Sequence, residues 1–305
     1  METALKIADL HKSFQTGFIP KKKKILKGIT LEVGKGEIFG YLGPNGAGKT
    51  TTLKCILGLI HPDKGEIEVW DHPYFSLKAK EKTGYLPENP YFYDYLTASE
   101  FLDFYSQLCP NLKPHNFKKI NTLLKIVGLE EASHLQLRKF SRGMLQRVGL
   151  AQAILNDPSL VLLDEPLGGL DPIGRKEIRD IILRFKEEGK TVFLCSHIIQ
   201  DIEMICDKVA ILGNGQIINQ GKLQDLISEK IQFTEVALSG VSPKELEELG
   251  EIYSIHRGRI FLKVFEEEKK RKIIQLVQSR KGTLHSLTPR TETLEDLFVG
   301  MVKQT

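Results

Sequence analysis

Glu37-Ile38-Phe39-Gly40-Tyr41-Leu42-Gly43-Pro44-Asn45-Gly46-Ala47-Gly48-Lys49-Thr50 is the stretch that decides the fold. Its first six residues read as a buried strand running into a glycine-rich turn. Leu53, Ile56, Leu57 and Ile60 then fall at helical spacing, so the chain passes from strand through loop into helix. Residues 43–50 match GxxxxGK[ST] in the setting that pattern requires. Glycines let backbone amides turn inward around phosphate oxygens, because no Cβ blocks the approach. The helix directs its positive N-terminus at the same anion. Lys49 is spaced to reach the terminal phosphates of a nucleotide, and the Thr50 hydroxyl to ligate magnesium.

Working outward, residues 5–9 and 29–33 alternate like strands, with Gly34 and Gly36 supplying a turn. Thr97-Ala98-Ser99-Glu100 fits a capping box at the start of a largely helical stretch to about Asn156. Leu160 to Leu163 reads as a strand, Ile173 to Glu188 as a helix and Thr191 to Cys195 as a strand. Such alternation indicates an α/β core with a parallel sheet. The strand at Leu160 ends in two adjacent carboxylates, Asp164 and Glu165. Asp164 suits the magnesium shell. Glu165 is the candidate general base, since a carboxylate near a γ-phosphate can take the proton of the attacking water. No NKxD guanine-reading motif is present, which argues against a GTPase.

The character changes near residue 223. Gln232 to Leu238, Glu251 to Ile255, Ile260 to Phe265 and Thr283 to Leu287 read as strands. Ser242-Pro243-Lys244-Glu245 looks like a capped helix start, a second helix runs from about Glu267 to Arg280, and Thr293 would cap a last one. The β-α-β-β-α-β order is the ferredoxin-like arrangement. The 305 residues therefore divide into domains at 1–222 and 223–305. Composition, 41% apolar and 27% charged, is that of a folded protein. No apolar run exceeds four residues, too few to cross a bilayer as a helix, and Met1 to Leu10 lacks a signal-peptide core. Cys55, Cys109, Cys195 and Cys206 form no CxxC, which points to reduced thiols in a cytosolic chain without a structural metal. A net charge of +4 does not support nucleic-acid binding. Lys21 to Lys24, with Lys27 nearby, reads as a solvated hairpin tip, or more sharply as a contact to acidic lipid headgroups.

The motif order resembles the ATP-binding cassette (ABC) transporter ATPases. Gly43, Pro44, Asn45, Gly46, Ala47, Gly48, Lys49, Thr50 and Thr51 look like their Walker A. Phe140-Ser141-Arg142-Gly143-Met144-Leu145-Gln146-Arg147 stands at the signature position, Asp164 and Glu165 end a Walker B, Gly168-Gly169-Leu170-Asp171-Pro172 looks like the D-loop, and Ser196-His197 like the switch histidine. The resemblance covers residues 5–222. Leu287 to Arg290 and Thr293 to Phe298 are similar to the tail domain of exporter ATPases whose membrane subunit is a separate chain. What it implies is a P-loop ABC cassette with a helical subdomain, followed by an α+β ferredoxin-like domain. Phe14 would stack on adenine. Ser141 and Gly143 would contact the γ-phosphate of ATP bound to a second copy, with Asp171 in the same interface. His197 would hydrogen-bond the γ-phosphate.

Two positions depart from the family pattern. The signature reads Phe140-Ser141-Arg142-Gly143-Met144 where Leu-Ser-Gly-Gly-Gln is usual, and Gly84-Tyr85-Leu86-Pro87-Glu88 places Glu88 where glutamine is usual. Glu88 can still reach magnesium or water, but its charge near a γ-phosphate implies modest turnover. The cofactors implied are ATP and magnesium. The partners are a second copy in a head-to-tail sandwich and an integral membrane permease, with no nucleic acid. That places the chain at the inner face of the cell membrane. Tyr91, Phe92, Tyr93 and Tyr95 divide between permease docking and packing of the helical subdomain. The competing class is a soluble ABC ATPase acting on nucleic acid or ribosomes. Such chains usually carry two cassettes or a long coiled coil between Walker A and the signature, neither of which is present.

Overall fold

The computed structural model describes residues 2–16, 21–109, 115–226 and 231–291. They form two compact units, one closing at Leu223 and the next beginning at Gln224.

In the first unit, β1 (Thr3–Thr16) and β2 (Lys21–Gly34) make an antiparallel ribbon that leads into β3 (Ile38–Leu42), the phosphate loop and α1 (Lys49–Ile56). Strands β4 (Lys64–Val69) and β5 (His72–Pro73) follow, then α2 (Leu77–Glu81), β6 (Thr83–Leu86), α3 (Ala98–Gln107), α4 (Phe117–Ile126) and α5 (Arg142–Ala153). The chain returns through β7 (Leu160–Asp164), α6 (Pro172–Glu187), β8 (Thr191–Ser196), α7 (Ile199–Ile205), β9 (Lys208–Gly213) and β10 (Gln216–Lys222). Two sheets result, β2-β1-β4-β5 and β10-β9-β3-β8-β7-β6. In the larger, β9, β3, β8, β7 and β6 are parallel and β10 is an antiparallel edge. Every residue of β3, β7 and β8 is buried, which explains why they read as apolar runs without alternation. A single core joins β1 and β2 to the β3 and β8 aromatics, where Phe39 and Phe193 stack at 5.6 Å. Leu53 and Ile56 of α1 lie in it, anchoring the loop just before them.

The capping box forms: Glu100 N–H donates to Thr97 Oγ1 (3.2 Å) and Thr97 N–H to Glu100 Oε2 (2.8 Å). The ribbon is longer than the sequence pattern suggests. Residues 12–16 and 21–24 are too polar to alternate, yet the ladder pairs Phe14 with Lys23 and Ser13 with Lys24. The lysine run therefore lies within β2 rather than at a hairpin tip.

The second unit holds α8 (Leu223–Leu226, shared at its first residue with the unit before), β11 (Ile231–Ser239), β12 (Glu251–His256), β13 (Arg259–Val264), α9 (Glu267–Ser279) and β14 (Thr283–Thr291). Its sheet runs β12-β13-β11-β14, antiparallel throughout, over a core that includes Val236, Leu238, Leu262 and Ile273. The helix expected from Ser242 does not propagate. Pro243–Glu245 is a single 3-10 turn, held by Leu246 N–H on Pro243 O and followed by turns. Gly250 and β12 arrive too soon for a helix nucleus to be repaid. Thr293 and the stretch to Phe298 lie outside the described residues.

Candidate nucleotide site

The phosphate loop is held from both sides. Gly43 N–H donates to Ser196 O at the end of β8 (3.2 Å). Gly48 has φ +116°, and a Cβ there would meet Leu26 Cδ2 at 2.7 Å, so both conformation and contact demand glycine. Lys49, 6% exposed, donates from Nζ to Gly43 O (2.7 Å) and Pro44 O (3.3 Å). The same ammonium lies 3.1 Å from Glu165 Oε1.

Parallel pairing of β7 with β8 sets the acidic side. Asp164 stands opposite Cys195, and Glu165 N–H extends the ladder to Cys195 O (3.0 Å). Glu165 then turns out of the strand at φ +50°, a left-handed conformation costing about 1–3 kcal/mol in a non-glycine residue. That turn brings its carboxylate to His197. The ring Nδ1–H donates to Glu165 Oε2 (2.8 Å), and His197 N–H lies 3.3 Å from the same oxygen. Lys49, Glu165 and His197 thus form a chain of contacts across three strand ends.

Asp164 is 1% exposed and neither carboxylate oxygen has a hydrogen bond of ordinary geometry. Burial pushes its pKa up to about 6, assisted by the charges of Glu165 and Glu88 and eased by the Thr50 hydroxyl and Lys49. An orphaned buried carboxylate beside a phosphate loop fits a hard cation. Among the described residues no group of three or more His, Cys, Asp or Glu could hold a metal by itself.

These elements line a cavity of about 490 Å³. The β1–β2 ribbon contributes Phe14, Lys23 and Ile25. The loop and helix contribute Asn45, Gly46, Gly48, Lys49, Thr50 and Thr51, and the strand ends Glu88 and Glu165. Phe14 is 39% exposed, with Lys12 Nζ 5.4 Å from its ring centroid. Gly43, Pro44 and Ala47 shape the loop without lining the cavity. Ser141 and Asp171 stand elsewhere, each exposed at a helix start. Ser141 Oγ caps α5 by accepting from Met144 N–H (3.2 Å), and Asp171 Oδ1 caps α6 by accepting from Gly174 N–H (2.8 Å). Nothing lies within 4 Å of where a Cβ on Gly143 would stand, so that side of the residue faces open space. The Arg142 guanidinium covers Gly169 in the turn after Glu165. Lys23, Ile25 and the Arg142–Gly169 contact were not legible in the motifs. Residues 21–24 are too polar to alternate, so no strand pattern marked the first two.

A parallel sheet, a glycine loop on a helix N-terminus and a buried carboxylate pair at the end of a neighbouring strand define a P-loop nucleotide-hydrolysing protein. Residues 26–168 match the ABC transporter family. An uncharacterized ABC transporter ATP-binding protein of Synechocystis is 40% identical over 303 residues, covering 97% of this chain and 84% of that one. The bacitracin transport ATP-binding protein BcrA of Bacillus licheniformis is 34% identical over 309 residues, covering 99% and 98%. Among solved structures, an ATP-binding subunit of an ABC transporter aligns with a TM-score of 0.63 at 30% identity, over 73% of this chain and 91% of that one. A dimeric post-hydrolysis ATP-binding cassette bound to ADP and Pi aligns with a TM-score of 0.65 at 25% identity, over 72% and 98%. The chain belongs to the ABC transporter ATP-binding proteins. Its activity is ATP hydrolysis of the transport-coupled kind, and the nucleic-acid alternative finds no support among these relatives.

Proposed function

We propose that this chain hydrolyses magnesium-ATP between two copies of itself and thereby drives a separate membrane permease. The observation that carries the reading is the Lys49–Glu165–His197 chain of contacts at the mouth of the phosphate loop. The loop amides and Lys49 bind the β- and γ-phosphates, and Phe14 stacks on adenine. Glu165 takes the proton of the attacking water, oriented by His197, whose other ring nitrogen faces the γ-phosphate. Thr50 and Asp164 would hold magnesium, with Glu88 in reach of it directly or through water, and its positive charge would offset that of the phosphates. Ser141, Gly143 and Asp171 act across the dimer, where Ser141 and Gly143 meet the second nucleotide.

No helix among the described residues is long and apolar enough to cross a membrane, so the transport path belongs to the permease. The aromatic cluster after Glu88 supports docking. Phe92 turns inward onto Phe101 at 5.3 Å, whereas Tyr91 and Tyr95 are 76% and 61% exposed. A cavity of about 400 Å³ lies beside them, walled by Tyr93, Tyr95, Phe104 and Phe117. Exposed aromatics around a concavity suit a partner's helix. On this reading the chain sits on the inner face of the membrane through its partner. We read residues 1–222 as the ATPase domain and 223–305 as an accessory domain. The strand order β12-β13-β11-β14 supports a ferredoxin-like reading of the latter, with its first helix reduced to a 3-10 turn. Capture of the tagged chain from detergent-solubilised membranes tests the proposal. A stoichiometric integral membrane protein is expected, and recovery of ribosomal proteins instead would overturn it.

A further inference from the structure

The lysine run is the sequence feature that the function leaves unused, and β2 divides it. Successive side chains of a strand point to opposite faces, so Lys22 and Lys24 share one face and Lys23 and Ile25 the other. Lys22 lies 3.9 Å from Asp63. Lys23 stands directly across the ladder from Phe14, and cross-strand partners share a face. Phe14, Lys23 and Ile25 accordingly line the nucleotide cavity together. Ile25 is the inner neighbour: its Cγ2 lies 3.7 Å from where a Cβ of Gly48 would stand. The ribbon thus presents, from the phosphate loop outward, an aliphatic surface and then a paired ammonium and aromatic ring.

Charge gives Lys23 a task. The cavity carries Glu88 and Glu165 on its wall with Asp164 behind them, and Lys49 is already paired with Glu165. Among the described residues Lys23 is the other lysine lining it, and it has no ion pair with any described carboxylate. A nucleotide reaching from Lys49 to Phe14 must pass within a lysine's length of it. We propose that Lys23 is a nucleotide-binding residue, its ammonium meeting the phosphate chain on the side opposite Lys49. It supplies the positive charge that Glu88 subtracts. The inference rests on the reading of this cavity as the nucleotide site.

The test is binding of ADP and of adenosine to the full chain, each in competition with a fluorescent ATP analogue. Lys23→Met keeps the aliphatic stem and removes the charge. It is expected to weaken ADP by about fivefold to tenfold, the value of one charge-assisted contact at a partly solvated site, and to leave adenosine within about twofold. Lys23→Arg should restore most of the ADP affinity, and Lys22→Met or Lys24→Met should leave it unchanged. Unchanged ADP affinity in Lys23→Met overturns the proposal, as does an equal loss for adenosine or an equal loss in Lys24→Met. Lys49→Ala, measured alongside, separates the failures: if it too binds nucleotide normally, the cavity itself has been misread.

Discussion

The Lys49 ammonium sits 3.1 Å from Glu165 Oε1, with both side chains almost wholly removed from solvent. The phosphate-binding cation and the candidate general base therefore hold one another. A phosphate arriving at Lys49 competes with Glu165 for the ammonium. If it succeeds, Glu165 would keep His197, 2.8 Å away, and be freed to engage water. On the proposed reading, binding of the nucleotide and release of the base would be one exchange of partners.

Glu165→Gln removes the base but preserves the side chain's size and an oxygen for His197. ATP binding should persist, hydrolysis should fall by at least about 10²-fold, and an ATP-bound dimer should accumulate. Phosphate release and ATP-dependent sedimentation measure this. Wild-type turnover in the variant would disprove the assignment.

Lys49→Ala has two costs. Nucleotide affinity should fall beyond calorimetric detection, because the loop loses its side-chain cation. Glu165 is also left buried without its ion pair, and an unsatisfied buried group costs about 1–3 kcal/mol, so the melting temperature should fall as well. Calorimetric titration showing parental affinity would remove the phosphate-loop reading.

Asp164 gives a pH dependence of defined sign. Its native pKa, raised by burial to about 6 from an ordinary 3.8, means that the native state holds this proton more tightly than the unfolded chain. The associated stability is complete below about pH 4 and is lost as pH rises through about 6. Asp164→Asn should therefore raise the melting temperature at pH 7.5 but not at pH 4. Magnesium competes with the same proton, so its apparent affinity in the presence of ATP should fall below about pH 6, by up to about tenfold per unit. A flat magnesium affinity between pH 5 and 7 would exclude Asp164 from the metal shell.

Ser141→Arg tests the dimer. The exposed hydroxyl caps α5, so any replacement lacking an acceptor loses about 1 kcal/mol, and Ser141→Ala measures that loss alone. The arginine variant should bind ATP as a monomer yet fail to dimerise. ATP-dependent sedimentation equal to the parent's would refute the head-to-tail arrangement.

The phosphate loop, the acidic strand end and the Thr97 capping box were legible because each is a contiguous pattern whose geometry is local. Residues 3–16 and 21–34 were legible only in part. Their polar stretches satisfy backbone groups through pairing with each other, which alternation does not reveal. Ser242 to Glu245 misled in the opposite direction: a capping pattern nucleates a helix only when enough chain follows, and Gly250 ends it early. The second role of Ser141 and Asp171, as helix caps, could be read from their residue types; their place outside the cavity could not.

By itself the sequence determined that this chain carries a phosphate loop, a pair of carboxylates and a histidine after an apolar strand, since those chemistries reside in residue type and short spacing. Only the tertiary structure decided which of them meet. The adjacency of β3, β8 and β7 joins Lys49, Glu165 and His197 into one set of contacts. The register of β1 on β2 turns Lys23 beside Phe14. The first depends on hydrogen-bonded pairing between segments far apart in the chain and the second on the register of a ribbon too polar to alternate, and no short residue pattern encodes either.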